Sequence, residues 1–436
     1  MNQEVLDLLS EIKDQSIYVS FEPDNFDFTD KDSSKEIGIN LQNGKSVTIN
    51  LNDSNTPFII SILRLSVFSK GMKVICWNWK NLATYVLAVT SRSLFIEGAI
   101  IDLKILESYS GRKMNKPKSL KEATSRLREI VSNGTWKEVE NIYKGLHVPL
   151  STSVIPHLET TGIIDVYTGS KVYAHYEIDG QDNGRLRCFN AFKHGYVPHA
   201  MKPETKNNLK PRFFDELFMV FDFRAMEVFM LSWLSKDPVL EELCQENDIY
   251  FSLYEKLMGC PPQKKNDRDL IKKVFLPVIY GQSSYMLGQR CDIPKEAAES
   301  IVNRIDSLFP TALNWIKTQQ KQLQDLGYAK DIFGKRRFFD EGKEYLVRNF
   351  CIQSPAAVVC LEKLAHLYFA IKDNTDIAYT VHDGYAIYAK KDDWKKTFNL
   401  AHDVLSGASD FCPGLRLKVT CRAGRKLDDL KPLNKK

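Results

Sequence analysis

Asp222 closes an apolar run, FMVF, and Glu227 follows it within five residues in FMVFDFRAMEVFMLSWLSKDPVLEEL at 218–243. A carboxylate at the end of a buried strand is costly unless it meets a cation or caps a helix. Asp383 has a similar setting in YTVHDGYAIYAKKDD at 379–393. The loose alternation there predicts a β-hairpin with Asp-Gly as its turn, which puts Asp383 at the tip. Together the two aspartates offer hard oxygen ligands for Mg²⁺, the usual arrangement for phosphoryl transfer on a triphosphate. The plainer alternatives are a helix cap or core ion pair for Asp222 and a solvated turn for Asp383.

Cationic chemistry is concentrated in two further stretches. In NDRDLIKKVFLPVIYGQSSYMLGQR at 266–290, Arg268, Lys272, Leu276 and Tyr280 recur every four residues and share one face if helical. Two cations one turn apart suit a polyphosphate, and a tyrosine two turns beyond could stack on a base. An ordinary basic helix with a solvated face is the alternative. The stretch DNGRLRCFNAFKHGYVPHA at 182–200 carries Arg185, Arg187, Lys193, His194 and His199 with aromatics between them. That composition suits a loop tracking a sugar–phosphate backbone.

The elements around these residues can be read coarsely. QSIYVSFEPDN at 15–25 and GKSVTINL at 44–51 alternate as strands, IISILRLSV fits a buried helix and GMKVICWNW a buried strand. Strands and helices alternate to about residue 110, which predicts a small α/β domain. KSLKEATSRLREIVSNGTWKEVENIYKG at 118–145 is helical by period, with Asn-Gly as a break, and a helix over about 295–323 is interrupted at Pro310.

Bulk properties bound the rest. A length of 436 residues suggests two to three domains, and 43% hydrophobic residues are ample for a core. The net charge of +5 permits a nucleic-acid partner without demanding one. Nine scattered cysteines without a CxxC pair predict free thiols in a reducing compartment. No secretory or transit segment is evident at the N-terminus, and no stretch reads as a membrane span.

Taken together, these stretches resemble family A DNA polymerases, the class of bacterial DNA polymerase I and its phage relatives. DFRAMEVFMLSWLSKD resembles motif A, Arg268, Lys272, Tyr280 and Gly281 match the spacing of motif B, and VHDG resembles motif C, usually VHDE. NGRLRCF, GYAKDIFGKRRFF at 327–339 and IQSPAAVV at 352–359 resemble further elements in the family's order. The resemblance implies an α/β and α+β multidomain chain, a right-hand polymerase of palm, fingers and reduced thumb, preceded by a small RNase H-like domain of the 3′–5′ exonuclease type. The implied boundaries are 1–117 for the exonuclease-like domain, 118–180 for the reduced thumb or linker, 181–260 and 326–436 for the palm, and 261–325 for the fingers.

The same resemblance implies residue roles. Asp222, Asp383 and the Phe223 carbonyl would hold two Mg²⁺ ions, with Mn²⁺ as an alternative. Arg268 and Lys272 would hold the triphosphate, and Lys272 could protonate the leaving pyrophosphate. Tyr280 would pack at the nascent base pair, while Glu227 would exclude a 2′-hydroxyl. Arg185, Asn349, Gln353 and His382 would touch the primer–template. Four departures stand out: Gly384 replaces the motif C glutamate, Leu276 replaces the aromatic facing the sugar, Pro277 stands inside the fingers helix, and Arg224 replaces a small residue after the motif A aspartate, adding charge beside the metals.

The N-terminal stretches KVICWNWKNLATYVLAV and IIDLKILESYSG resemble the family's exonuclease more faintly. Leu82 occupies a metal-binding aspartate's place, Glu22 and Asp24 only loosely match the first acidic pair, and no aspartate occurs from 103 to 164. A domain without proofreading is implied. The implied activity is template-directed addition of deoxynucleotides to a primer 3′ end. Primer–template DNA and deoxynucleoside triphosphates are the partners, together with a processivity or replisome protein. The chain is expected to be a monomer by itself, off the membrane, cytoplasmic (in the host cytoplasm if viral), and of phage or plasmid type. The competing readings are a single-subunit RNA polymerase-like enzyme and an inactive polymerase-like structural protein of a replication complex.

Overall fold

The computed structural model describes residues 16–22, 27–30, 35–51, 73–91, 99–112, 115–130, 149–178 and 180–434. The predicted helix around IISILRLSV, Asp24 and residues 131–148 of the predicted helical hairpin lie outside them. The chain divides into two compact units: Met1–Asp222 with Cys360–Ser406 and Val419–Lys436, and Phe223–Val359 with Gly407–Lys418.

The first unit holds two sheets. The N-terminal sheet has the strand order Ser46–Asn50, Glu36–Asn40, Ser16–Glu22, Lys73–Trp77, Ala99–Asp102. The first three are antiparallel neighbours and the last two run parallel to the central strand. Ile17, Val19 and Phe21 of the central strand are at most 1% exposed and pack with Ile37, Val74 and Val86 in one core. The helix Trp79–Thr90 follows from Asn78, whose left-handed backbone (φ 63°) turns the chain out of the sheet. Asp102 is buried at the end of its strand, caps the helix Leu103–Tyr109, and accepts from the amides of Trp79, at 2.9 Å, and Lys104. The described half of the 118–145 stretch is the helix Leu120–Ile130. It docks on this domain: Tyr18 Oη donates to the Pro117 carbonyl at 3.0 Å, and Arg126 faces buried Glu107 at 3.6 Å.

The second sheet has the order Ile377–Val381, Gly384–Lys390, Glu216–Phe223, Val419–Gly424, Lys431–Leu433. Its middle strands bury Phe218, Phe221, Tyr385 and Tyr388, each at most 1% exposed. The helix Trp394–Ser406 covers this core through Phe398, which stacks on Phe221 at 6.1 Å.

The second unit is mostly helical, built from Met226–Ser235, Pro238–Gln245, Ile249–Met258, Lys265–Ile279, Ser284–Cys291, Lys295–Leu308 and Pro310–Leu326. Asp237 caps the second of these and also accepts from the Ala312 amide at 3.0 Å, tying two helices by one buried carboxylate. The interruption predicted at Pro310 is a break at Phe309 between two helices, with proline opening the second. Pro277 does not end its helix, which runs on to Ile279.

The helix Val347–Ile371 belongs to both units along its length. Together with the turn before it, this helix is long and apolar enough to cross a membrane. That corrects the expectation that no stretch would be. Within the protein 72% of its apolar window is buried, as in a core helix. All nine cysteines are free thiols, as their spacing predicts.

Candidate active site

Asp222 and Asp383 reach the same end of the second sheet by different routes. Glu216–Asp222 pairs one to one with Lys390–Gly384, so Asp222 lies directly opposite Gly384, and Asp383 precedes Gly384. Asp222 is exposed, Asp383 half-buried, and both neighbours of Asp222 are buried phenylalanines. Strand alternation thus turns Phe221 and Phe223 into the core and Asp222 outward. The Asp222 carbonyl accepts from Thr420 Oγ1 at 3.1 Å, which fixes the strand end.

The turn differs from the one the sequence predicts. Val381 pairs with Gly384, so His382 and Asp383 are the two turn residues and Gly384 already belongs to the strand. His382 takes the positive φ, 52°, that a glycine or asparagine would ordinarily supply. Local bonds hold this geometry: Thr380 Oγ1 donates to the Gly384 carbonyl at 2.9 Å. A Cβ at Gly384 would lie 3.3 Å from the carbonyl oxygens of Phe221 and Val381 and 3.7 Å from Asp222 Oδ1.

The second unit gathers a different group. Tyr280 Oη donates to Glu227 Oε2 at 2.7 Å, and Gln353 Nε2 donates to Glu227 Oε1 at 2.8 Å. Both carboxylate oxygens are therefore held. Ala225 aims Glu227 by a left-handed turn (φ 50°) at the start of its helix, and the Arg224 amide donates to the Lys418 carbonyl at 2.8 Å. Arg268, Lys272 and Leu276 lie one turn apart on Lys265–Ile279, and Tyr280 caps its end. Lys272 is exposed and Leu276 half-buried. Asn349 and Gln353, also half-buried, share the first turns of Val347–Ile371.

Arg268 has a partner that its spacing did not suggest. Its Nε donates to Asp248 Oδ2 at 2.6 Å, and the guanidinium lies 5.6 Å from the Tyr250 ring. The Asp248 hydrogen bond raises the arginine's pKa further. Burial opposes ionisation of Asp248, but Arg268 and the amides of Phe251 and Tyr250 outweigh it and lower its pKa. An aspartate just before the apolar run IYFSLY is a helix-cap signal that would have found Asp248, though not its second task.

Arg185 is half-buried in the loop after the strand His175–Glu177, where its amide donates to Asn183 Oδ1 at 3.2 Å. Arg187 and His194 of the same stretch are exposed, whereas His199 Nε2 is buried.

In the N-terminal domain and the segment that follows it, acidic groups meet lysines. Glu22 pairs with Lys116, Glu177 with Lys104 at 3.2 Å, and Glu159 with Lys80 at 2.9 Å. Glu159 also accepts from Thr84 Oγ1 at 2.7 Å and the Tyr176 amide at 2.7 Å, and faces His175 Nδ1 at 3.2 Å. Burial alone would push its carboxyl up; Lys80, His175 and these bonds bring it down to about 2. Leu82 is a core residue at 1% exposure.

The POL domain of Pol1 from M. smegmatis, solved in complex with DNA primer-template and dNTP, superposes with a TM-score of 0.77 at 14% identity over 98% of each chain. That likeness defines the fold, a polymerase with palm- and fingers-like parts. Residues 158–429, more than half of the chain, match the sequence model for DNA polymerase family A, and the chain belongs to that family. It is 24% identical over 314 residues to DNA polymerase I of Chloroflexus aurantiacus, covering 65% of this chain and 33% of that protein. With DNA polymerase I of Borreliella burgdorferi it is 27% identical over 203 residues, covering 43% and 21%. The chain thus spans a third or less of the length of these relatives.

Proposed function

We propose that this chain is a template-directed DNA polymerase that adds deoxynucleotides to a primer 3′ end. The observation that carries the reading is the pairing of Asp222 with Gly384, which brings the carboxylates of Asp222 and Asp383 to one end of adjacent strands. Oxygen donors at the end of a sheet, one exposed and one half-buried, fit Mg²⁺ or Mn²⁺. Asp222, Asp383 and the Phe223 carbonyl are the proposed ligands for two ions. When bound, the metal neutralises phosphate charge and favours ionisation of the attacking hydroxyl.

The protein's own groups do the rest. Arg268, its Nε held by Asp248 and its Nη1 beside Asp269 at 3.4 Å, presents Nη2 to the triphosphate, and exposed Lys272 one turn on adds a second cation able to give a proton to the leaving pyrophosphate. Glu227, fixed by Tyr280 and Gln353, is a rigid wall against a 2′-hydroxyl, and Tyr280 and Leu276 face the incoming nucleotide. Arg185, Asn349, Gln353 and His382 contact primer–template. Two observations support a chain without proofreading: buried Leu82 stands in the place of a metal-binding aspartate, and Glu22 of the loosely matched acidic pair is taken by Lys116. The segments 181–260 and 326–436 form the palm and 261–325 the fingers. The polymerase is compact, of phage or plasmid type, works in the cytoplasm as a monomer, and draws grip on DNA from a processivity or replisome partner.

Primer extension on DNA and RNA templates with dNTPs or rNTPs, with and without Mg²⁺, tests this. Extension with dNTPs and Mg²⁺ is expected, falling at least about 100-fold in Asp222→Ala. Preference for rNTPs would indicate an RNA polymerase. Inert native protein would indicate a structural role, and full activity in Asp222→Ala would remove the site assignment.

A further inference from the structure

His199 stands in the basic stretch at 182–200, whose sequence suits contact with nucleic acid, but its ring is committed elsewhere. It lies in the short turn Pro198–Ala200 and stacks on His382 with centroids 4.7 Å apart and planes 24° from parallel. Its Nε2 is buried without a hydrogen-bond partner, so that nitrogen does not reach a phosphate. Burial, and then the neighbouring His382, bring its pKa down to about 4, so the ring is neutral at neutral pH.

A second route joins His199 to the same turn. Its ring meets Tyr176 edge-on at 6.4 Å. The hydroxyl of Tyr176, a fully buried residue, donates to the Thr380 carbonyl at 3.2 Å and accepts from the Thr380 amide at 3.1 Å. Thr380 Oγ1 in turn holds the Gly384 carbonyl. His199 therefore touches the turn residue His382 directly and the preceding strand through Tyr176. His382 needs such support, because a positive φ is unfavourable for a residue with a Cβ.

We propose that His199 is a positioning residue of the polymerase site: its ring holds His382 in the left-handed turn and so aims Asp383. The role rests on Asp383 serving the polymerase reaction. The ring stack is the working feature and the imidazole nitrogen is not, so an aromatic substitute should serve.

The test compares His199→Leu and His199→Phe in the full chain. Single-nucleotide incorporation is followed with Mg²⁺, primer–template and the matched dNTP, together with thermal unfolding and modification of His382 by diethylpyrocarbonate. His199→Leu is expected to slow maximal incorporation about three- to tenfold with the dNTP KM unchanged, and to speed modification of His382, which loses cover on one face. His199→Phe should restore the rate to within about twofold. Full rate in His199→Leu, or a rate in His199→Phe as low as in His199→Leu, overturns the role. A native chain that extends no primer overturns the polymerase reading, and this role with it.

Discussion

At Gly384 the missing side chain is a steric requirement of the sheet. A Cβ there meets two backbone carbonyls at 3.3 Å, one on the central strand and one across the turn, and neither can yield without bending the ladder. Gly384→Ala is expected to destabilise the fold by about 1–3 kcal/mol, seen as a lower urea midpoint at unchanged m-value. Gly384→Glu should cost no less, so restoring the acid that relatives carry in motif C does not raise incorporation. The glycine was legible as a departure from the family pattern. Its reason was not, because the crowding comes from Phe221, 163 residues earlier in the chain. Asp222 was legible as an anomaly, since an acid closing an apolar strand is unusual in any sequence, whereas Asp383 read locally as a turn residue.

Among elements, the hairpin and the Lys265–Ile279 helix read differently from sequence. The helix face follows a local period, so Arg268, Lys272 and Leu276 fall on it as spacing predicts. The hairpin was legible as a hairpin but with its turn one residue late. Asp-Gly is the stronger local signal, and the contacts that accompany the observed turn, Thr380 Oγ1 on the Gly384 carbonyl and the His199 ring on His382, lie outside the turn residues. Pro277 shows the opposite balance. Its missing N–H leaves the Lys273 carbonyl without the usual helical donor, yet buried Val274, Phe275, Val278 and Ile279 keep the helix continuous. Pro277→Ala should stabilise the protein by about 1–3 kcal/mol, measured as a raised denaturation midpoint.

Across the whole molecule, the least legible feature is the buried cluster of Lys80, Glu159 and His175, whose members are far apart in sequence. Removing one charge of a buried pair strands the other. Glu159→Gln is therefore expected to cost about 3–5 kcal/mol at neutral pH. The pH dependence has a definite sign. The folded pKa of about 2 lies below the unfolded value, so the carboxylate's contribution is complete above roughly pH 5 and fades as pH falls toward 2. The stability gap between native protein and Glu159→Gln should stay flat from about pH 5 to 8 and shrink below it, as read from unfolding curves in a pH series.

The one-to-one register of Glu216–Asp222 with Gly384–Lys390 also bears on which length changes this gene can accept over evolutionary time. One inserted residue in either strand turns the phenylalanines outward and the aspartate into the core. Two restore the alternation but carry the carboxylate about 7 Å along the sheet. Descendants of this sequence are free to drift in composition along these strands, but not in their residue count.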